Sequence, residues 1–439
     1  MADFRISQLA VPLVVLLIAF LSYSSQYLFL HIDPAPLDTS ELVKFNFLVA
    51  CIWICYVRSC LTDPGRIPKD WRPPPPRSDT LMEKRPGDDG GDPGSRQRWC
   101  RRCEAYKPPR SHHCKTCQRC IPKMDHHCPW TNNCVSHFTF PHFIRFLFYA
   151  VASMIYLERF LYTRLVVIWN NRGLPSYYGP SLFQLGHLFV LAIVNSVVLL
   201  ALLILFLRNI WMLGANETTI EGWEIERHKT LCRRARALGG YLDGPDGVKV
   251  RIRRQEFPYD IGIWNNIRDG MGGSSNILGW FWPFSQTPKR STGLEFEVNG
   301  FEDEYVNWPP PDPDRMARGV HRSQEDNTML FGENRNFNSE EIDAFRQRQD
   351  ADYLRRQVES DVRRRKPFNK RYTNRGDDAQ LLNTSDSEDE ELSNSGEEGW
   401  RNSEGERLGD FGVDEEVEFY DEDDIPLATL IQRRKLHSQ

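Results

Sequence analysis

Between Trp99 and Cys134 the chain reads WCRRCEAYKPPRSHHCKTCQRCIPKMDHHCPWTNNC, and this stretch holds seven of the eleven cysteines, mixed with histidines. A CxxC unit, an HCxxCxxC unit, the run Asp125-His126-His127-Cys128 and a last Cys134 follow one another. In a small secreted chain this density would suggest disulfides, whereas CxxC units alternating with histidine suggest metal thiolates in a reducing compartment. Paired thiolates two residues apart wrap one tetrahedral zinc without strain, and such half-sites complete each other in space, so the spacing predicts two structural zincs. If each site takes three Cys and one His, one of the seven cysteines stays free; if one site takes four Cys, none does, and counting alone does not decide.

Chemistry singles out Cys128. A thiol bound to structural zinc is a poor nucleophile, but Cys128 directly follows Asp125 and His126. Imidazole can withdraw the thiol proton and a carboxylate can hold that imidazole in the right tautomer, which are the elements of a Cys-His-Asp nucleophile with His126 as general base and Asp125 as its orienting group. His127 is then available to zinc. A non-catalytic double zinc ribbon that binds nucleic acid or protein would show the same spacing. What flanks the stretch argues against it.

A membrane-crossing helix needs about 20 mostly apolar residues. Leu9–Leu30 and Leu182–Leu207 meet this clearly, and Leu42–Leu61 is interrupted only by Lys44 and Asn46. A fourth candidate, about residues 140–166, carries Arg145 near one end and Glu158, Arg159 and Arg164 near the other, so its charges must snorkel, pair as Glu158 with Arg159, or face a bundle. The first segment also resembles a signal peptide in position, but its apolar run is long and no A-x-A site follows. A nucleic-acid module rarely sits in a short loop between two bilayer helices, so no nucleic-acid partner is expected.

Lys and Arg crowd the segment between the second and third spans, while His31–Glu41 has none and carries acids. Positive charge stays on the cytosolic side, so both termini and the cysteine-rich loop are expected there, and a luminal Asn216-Glu217-Thr218 sequon would instead be open to glycosylation. The formal charge of -5 hides a basic middle and an acidic tail and identifies no anionic partner. The expected organisation is two spans in 1–61, a cytosolic zinc domain in 62–139, two spans in 140–213, a juxtamembrane region in 214–284 and a largely disordered acidic tail in 285–439. Trp71-Arg-Pro-Pro-Pro-Pro and the Gly87 stretch read as linker, and the acidic run after Ser385 and Ser387 suits an acid-directed kinase. The fold class is therefore an α-helical polytopic membrane protein of four transmembrane helices, with a small zinc-stabilised cysteine-rich domain.

Asp125-His126-His127-Cys128 with this flanking pattern resembles the DHHC cysteine-rich domain of protein palmitoyltransferases. The resemblance extends over about residues 1–285: Asp63-Pro64-Gly65 is similar to the family's DPG element, Thr218-Thr219-Ile220-Glu221 to its TTxE element, and Tyr259–Asn266 with Gly279–Pro283 to its aromatic and asparagine motif. In its architecture the chain is most similar to a fungal, endoplasmic-reticulum branch of the family.

The resemblance implies one zinc on Cys100, Cys103, His113 and Cys120 and another on Cys114, Cys117, His127 and Cys134, leaving Cys128 as the nucleophile. It implies transfer of a long-chain acyl group from palmitoyl-CoA through a Cys128 thioester to cytosolic cysteines of membrane-associated or membrane-spanning substrate proteins. Trp130, Phe143 and Phe146 are expected to line the acyl cavity, and Lys107, Arg110 and His112 to meet the CoA phosphates. Two rivals remain at this level: a catalytically silent membrane scaffold, and a thiol oxidoreductase with reactive Cys100 or Cys103.

Overall fold

The structure is a computed structural model and describes residues 9–34, 36–72, 98–173, 175, 178–244, 249–300, 308–310, 312–315 and 400–415. The Gly87 linker, Ser385 and Ser387 lie outside these residues.

Among the described residues, four helices are long and apolar enough to cross a bilayer: α1 (Ala10–Phe29), α2 (Thr39–Leu61), α3 (Phe140–Asn170) and α4 (Leu182–Ala215). Their ends follow local chemistry. Asp38 caps α2 by accepting from the Ser40 amide, and Ser181 and Gln184 form a reciprocal capping box at the start of α4. Asn216 ends α4 in the left-handed conformation at φ 52°, which asparagine tolerates better than most residues.

The span with the most charges packs at the centre. Met154, Leu157, Phe160 and Leu161 of α3 share one core with Leu28 and Phe29 of α1, Phe45 and Val49 of α2, and Leu188 and Leu191 of α4. Of the three alternatives for its charges, facing the bundle is the one seen, and Glu158 does not pair with Arg159. Glu158 instead accepts from Asn195 and Ser196 of α4 at 2.6 and 2.9 Å, Arg159 reaches Glu41 at 3.6 Å, and buried Arg164 stacks 3.6 Å over the Phe29 ring. Consecutive residues on a helix diverge by about 100°, so neighbours in sequence face different helices and find their partners across the bundle.

Among the described residues between α2 and α3 lie three antiparallel two-stranded ladders: β1 (Trp99–Cys100) with β2 (Ala105–Tyr106), β3 (His112–Cys114) with β4 (Arg119–Ile121), and β5 (His126–Cys128) with β6 (Asn133–Val135). After α4 come α5 (Thr219–Ala237), the hairpin β7 (Tyr241–Asp243) with β8 (Lys249–Arg251), α6 (Ile263–Gly270) and α7 (Ile277–Phe281). The carbonyls of Trp280, Phe281 and Pro283 accept from Arg145, Tyr149 and Arg58, which binds this aromatic segment to the ends of α2 and α3.

The acidic tail is not featureless. Residues 400–415 pack against the cysteine-rich ladders and α5, with a short 3-10 helix at Leu408–Phe411.

Candidate active site

Strand register explains how the cysteine-rich stretch sorts its residues. His113 stands directly opposite Cys120, and His127 directly opposite Cys134. Each such cross-strand pair closes on a CxxC turn, giving the groups Cys100, Cys103, His113, Cys120 and Cys114, Cys117, His127, Cys134, whose ligand atoms lie within 4.8 Å of one another. Nδ1 of His113 is 3.4, 3.3 and 3.7 Å from the sulfurs of Cys100, Cys103 and Cys120. Nδ1 of His127 is 3.6, 3.5 and 3.5 Å from those of Cys114, Cys117 and Cys134. A tetrahedral zinc with bonds of about 2.3 Å to sulfur and 2.0–2.1 Å to nitrogen sets these atoms about 3.5 Å apart, so both donor sets fit one zinc each. Four protein ligands close each site, which makes both ions structural.

Cys128 belongs to neither group. Side chains alternate along a strand, so within β5 His127 turns to one face, toward its metal group, and His126 and Cys128 turn to the other. The Asp125 carboxylate bonds Nδ1 of His126 at 2.6 Å, leaving Nε2 for the thiol side. The His126 ring stands edge-on to Phe143 with centroids 6.0 Å apart, and Cys128 packs with Phe143, Val135 and Leu147. Burial pushes the Cys128 thiol up, but the His126 imidazole and the Thr131 hydroxyl and amide more than offset this and hold it below the ordinary thiol value.

Several bonds fix this strand pair to the membrane helices. Tyr56 near the end of α2 donates to the Trp130 carbonyl at 2.8 Å, Asn133 donates to the Ser59 and Thr62 carbonyls, and Ser136 donates to the Pro64 carbonyl. Gly65 has φ 96°, and a Cβ there would lie 2.5 Å from the Phe138 ring, so the Asp63-Pro64-Gly65 turn requires glycine on two counts. Cys128 thus packs in an apolar cluster with Phe143 and Leu147 from α3, against which Leu202 and Phe206 of α4 also pack. Phe146 joins that cluster and lies tilted against the Tyr56 ring with centroids 5.1 Å apart, while Trp130 is exposed.

The expected phosphate cations are placed differently. Lys107, Arg110 and His112 are 4%, 4% and 1% exposed. Arg110 makes a two-pronged pair with Glu221 at 2.6 and 2.7 Å, bonds both oxygens of Asn216, and stacks 4.4 Å over the Tyr259 ring. Its guanidinium joins the zinc domain to the end of α4, and none of the three presents a solvent-facing charge. The cause is the capping box of α5: Glu221 bonds the Thr218 amide and faces inward, and a buried carboxylate requires a buried cation. Asn216 is buried and donates to the Tyr259 carbonyl, so in the folded chain its sequon cannot report which side of the membrane it occupies.

The residues that the sequence reading did not assign to the site are those that hold Asp125. The Thr219 amide donates to the Asp125 carboxylate at 2.7 Å and its hydroxyl to the Asp125 carbonyl at 2.5 Å. The signal was available as a capping pattern, Thr218 followed three residues later by Glu221, which marks a helix start with unpaired amides.

A family model described as DHHC palmitoyltransferase matches residues 94–226. Over 438 residues the chain is 59% identical to the palmitoyltransferase pfa4 of Emericella nidulans, covering 99% of this chain and 98% of that one. The chain belongs to the DHHC palmitoyltransferase family. It is 57% identical to the Aspergillus fumigatus palmitoyltransferase pfa4 over 99% of both chains, and 30% identical to palmitoyltransferase PFA4 of Saccharomyces cerevisiae over 93% of this chain and 98% of that one. Membership makes this multi-pass chain a protein S-palmitoyltransferase. The scaffold and oxidoreductase alternatives fall with it, since Cys100 and Cys103 stand in a closed Cys/His group.

Proposed function

We propose that Cys128 carries the acyl group, His126 is its general base, and Asp125 orients that base. The reading rests on one observation: Cys128 lies outside both four-residue metal groups and shares a face of β5 with His126. In the first step the Cys128 sulfur, giving its proton to His126, attacks the thioester carbonyl of a long-chain acyl-CoA; a new C–S bond forms, the bond to the CoA sulfur breaks, and the CoA thiolate leaves with the proton. In the second, a substrate thiol attacks the Cys128 thioester, the acyl group moves to the substrate and Cys128 regains its proton. Zinc, when bound, fixes the ladders. It takes no part in the exchange.

The acyl chain lies along Phe143, Phe146 and Leu147, with Trp130 at the mouth, because each methylene withdrawn from water contributes about 0.8 kcal/mol. Substrates are membrane-associated or membrane-spanning proteins whose cytosolic cysteines reach this surface. Both termini are cytosolic, an orientation supported by the Lys and Arg bias of the 62–139 segment, and the endoplasmic reticulum is the membrane that the family resemblance suggests. In its expected division, 62–139 is the catalytic zinc domain and 214–284 its membrane-side brace.

The experiment is autoacylation of purified protein with labelled palmitoyl-CoA. Wild type should acquire a hydroxylamine-sensitive label and His126→Ala should be slower by about 10²–10⁴. An unchanged rate in His126→Ala would remove its role as base.

A further inference from the structure

The short stretch 400–415 stands apart from the acidic sequence around it. It carries Trp400, Leu408, Phe411 and Val413 among acids and glycines. These side chains are not left in water. Leu408, Phe411 and Val413 are buried in one cluster with Cys114, Cys134, Ile121, Met124, Ile220 and Trp223, and Trp400 packs edge-on to Trp223 with centroids 4.9 Å apart.

The backbone takes part as well. Val413 bridges antiparallel to Cys114; the Lys115 amide donates to the Gly412 carbonyl at 2.8 Å, and the Asp414 amide to the His113 carbonyl at 3.0 Å. The tail thus makes a single antiparallel bridge with the edge of β3, the strand that supplies the first cysteine of the second metal group. Gly412 then passes over the next ligand. Its φ is 82°, and a Cβ there would lie 2.7 Å from the Cβ of His127. Only glycine permits that approach. Charge matches on the rim: Glu404 pairs with Arg208 at 3.0 Å, Asp414 with Arg102 at 3.0 Å, and the Ser403 amide donates to Glu226.

We propose that residues 400–415 are a clasp, an acidic aromatic segment docked in cis on a surface formed by the second metal group and α5, which covers that group and slows loss of its zinc. The segment packs on Cys114 and Cys134 and passes over His127 of the second group, whereas of the first group it meets only the backbone carbonyl of His113, through the Asp414 amide. Its effect therefore falls mainly on the second of the two ions. The proposal rests on the zinc assignment of the second group and is independent of which residue carries the acyl chain.

The test follows zinc release from full-length protein in detergent to a chelating dye, for wild type, Gly412→Val, Trp400→Ala and a chain ending at residue 399. Loss of an outer-shell partner typically costs about 10–100-fold in metal affinity, so half of the bound zinc should leave about 10–100-fold faster in the variants, and the other half should be accelerated far less. A synthetic peptide of residues 400–415, added to the shortened chain, should restore slow release, and the same peptide with Gly412→Val should not. Unchanged release in all variants, equal acceleration of both ions, or no effect of the peptide would overturn the proposal. A wild-type chain that holds less zinc than two groups require would instead overturn the zinc assignment.

Discussion

The Thr219 amide donates to one oxygen of the Asp125 carboxylate at 2.7 Å, while the other oxygen holds Nδ1 of His126 at 2.6 Å. The first turn of α5 therefore points its unpaired amides and the positive end of its dipole at the carboxylate that orients the imidazole beside Cys128. Helix α5 starts where it does because Thr218 and Glu221 cap it, and Glu221 at the same time pairs with Arg110 of the zinc domain. One capping box thus ties the end of the last span to the geometry of the nucleophile.

Asp125→Asn tests that tie. The amide keeps the shape but no longer accepts from Nδ1–H as a carboxylate does, so autoacylation should fall by about 10²–10⁴ while bound zinc is unchanged. Labelled palmitoyl-CoA incorporation and metal analysis on the same preparation would check both parts, and full activity would remove Asp125 from the mechanism.

Glu221→Ala removes the partner of a guanidinium that is 1% exposed at the side chain. Breaking a buried pair from one side typically costs about 3–5 kcal/mol, so thermal unfolding in detergent should occur at a clearly lower temperature, and Glu221→Gln should fall between the two. A melting temperature equal to wild type would mean that water reaches Arg110.

Gly65→Ala should destabilise the chain although it adds a single methyl group. The residue has φ 96° and its Cβ would meet the Phe138 ring, and backbone strain of this kind costs about 1–3 kcal/mol. Denaturation of the variant beside wild type measures it; no loss of stability would show that the turn relaxes freely.

Much of this was legible in the residues. CxxC spacing announced the metal groups, and the charge-poor runs announced the helices. Other features depended on contacts between segments far apart in sequence. The charges of α3 could not be paired by proximity along the chain, since Glu158 and Arg159 find α4 and Glu41 respectively. Arg110 looked like a surface cation because its partner Glu221 is more than a hundred residues away. Leu408 and Phe411 were submerged in an acidic background, where composition averages conceal a few buried side chains.

Cys117→Ala probes the metal groups. The residue's sulfur is 3.5 Å from both Nδ1 of His127 and the Cys134 sulfur, so its loss should release at least one zinc equivalent and abolish palmitate transfer. Retention of the full zinc content would contradict the ligand assignment.

The most direct measurement is the zinc content and palmitate label of Cys128→Ser, taken together from one preparation. With Cys128 as the nucleophile outside both metal groups, the variant should hold wild-type zinc, carry no thioester label and pass none to substrate. Lost zinc would make Cys128 a ligand, and persisting thioester label would move the nucleophile to another residue.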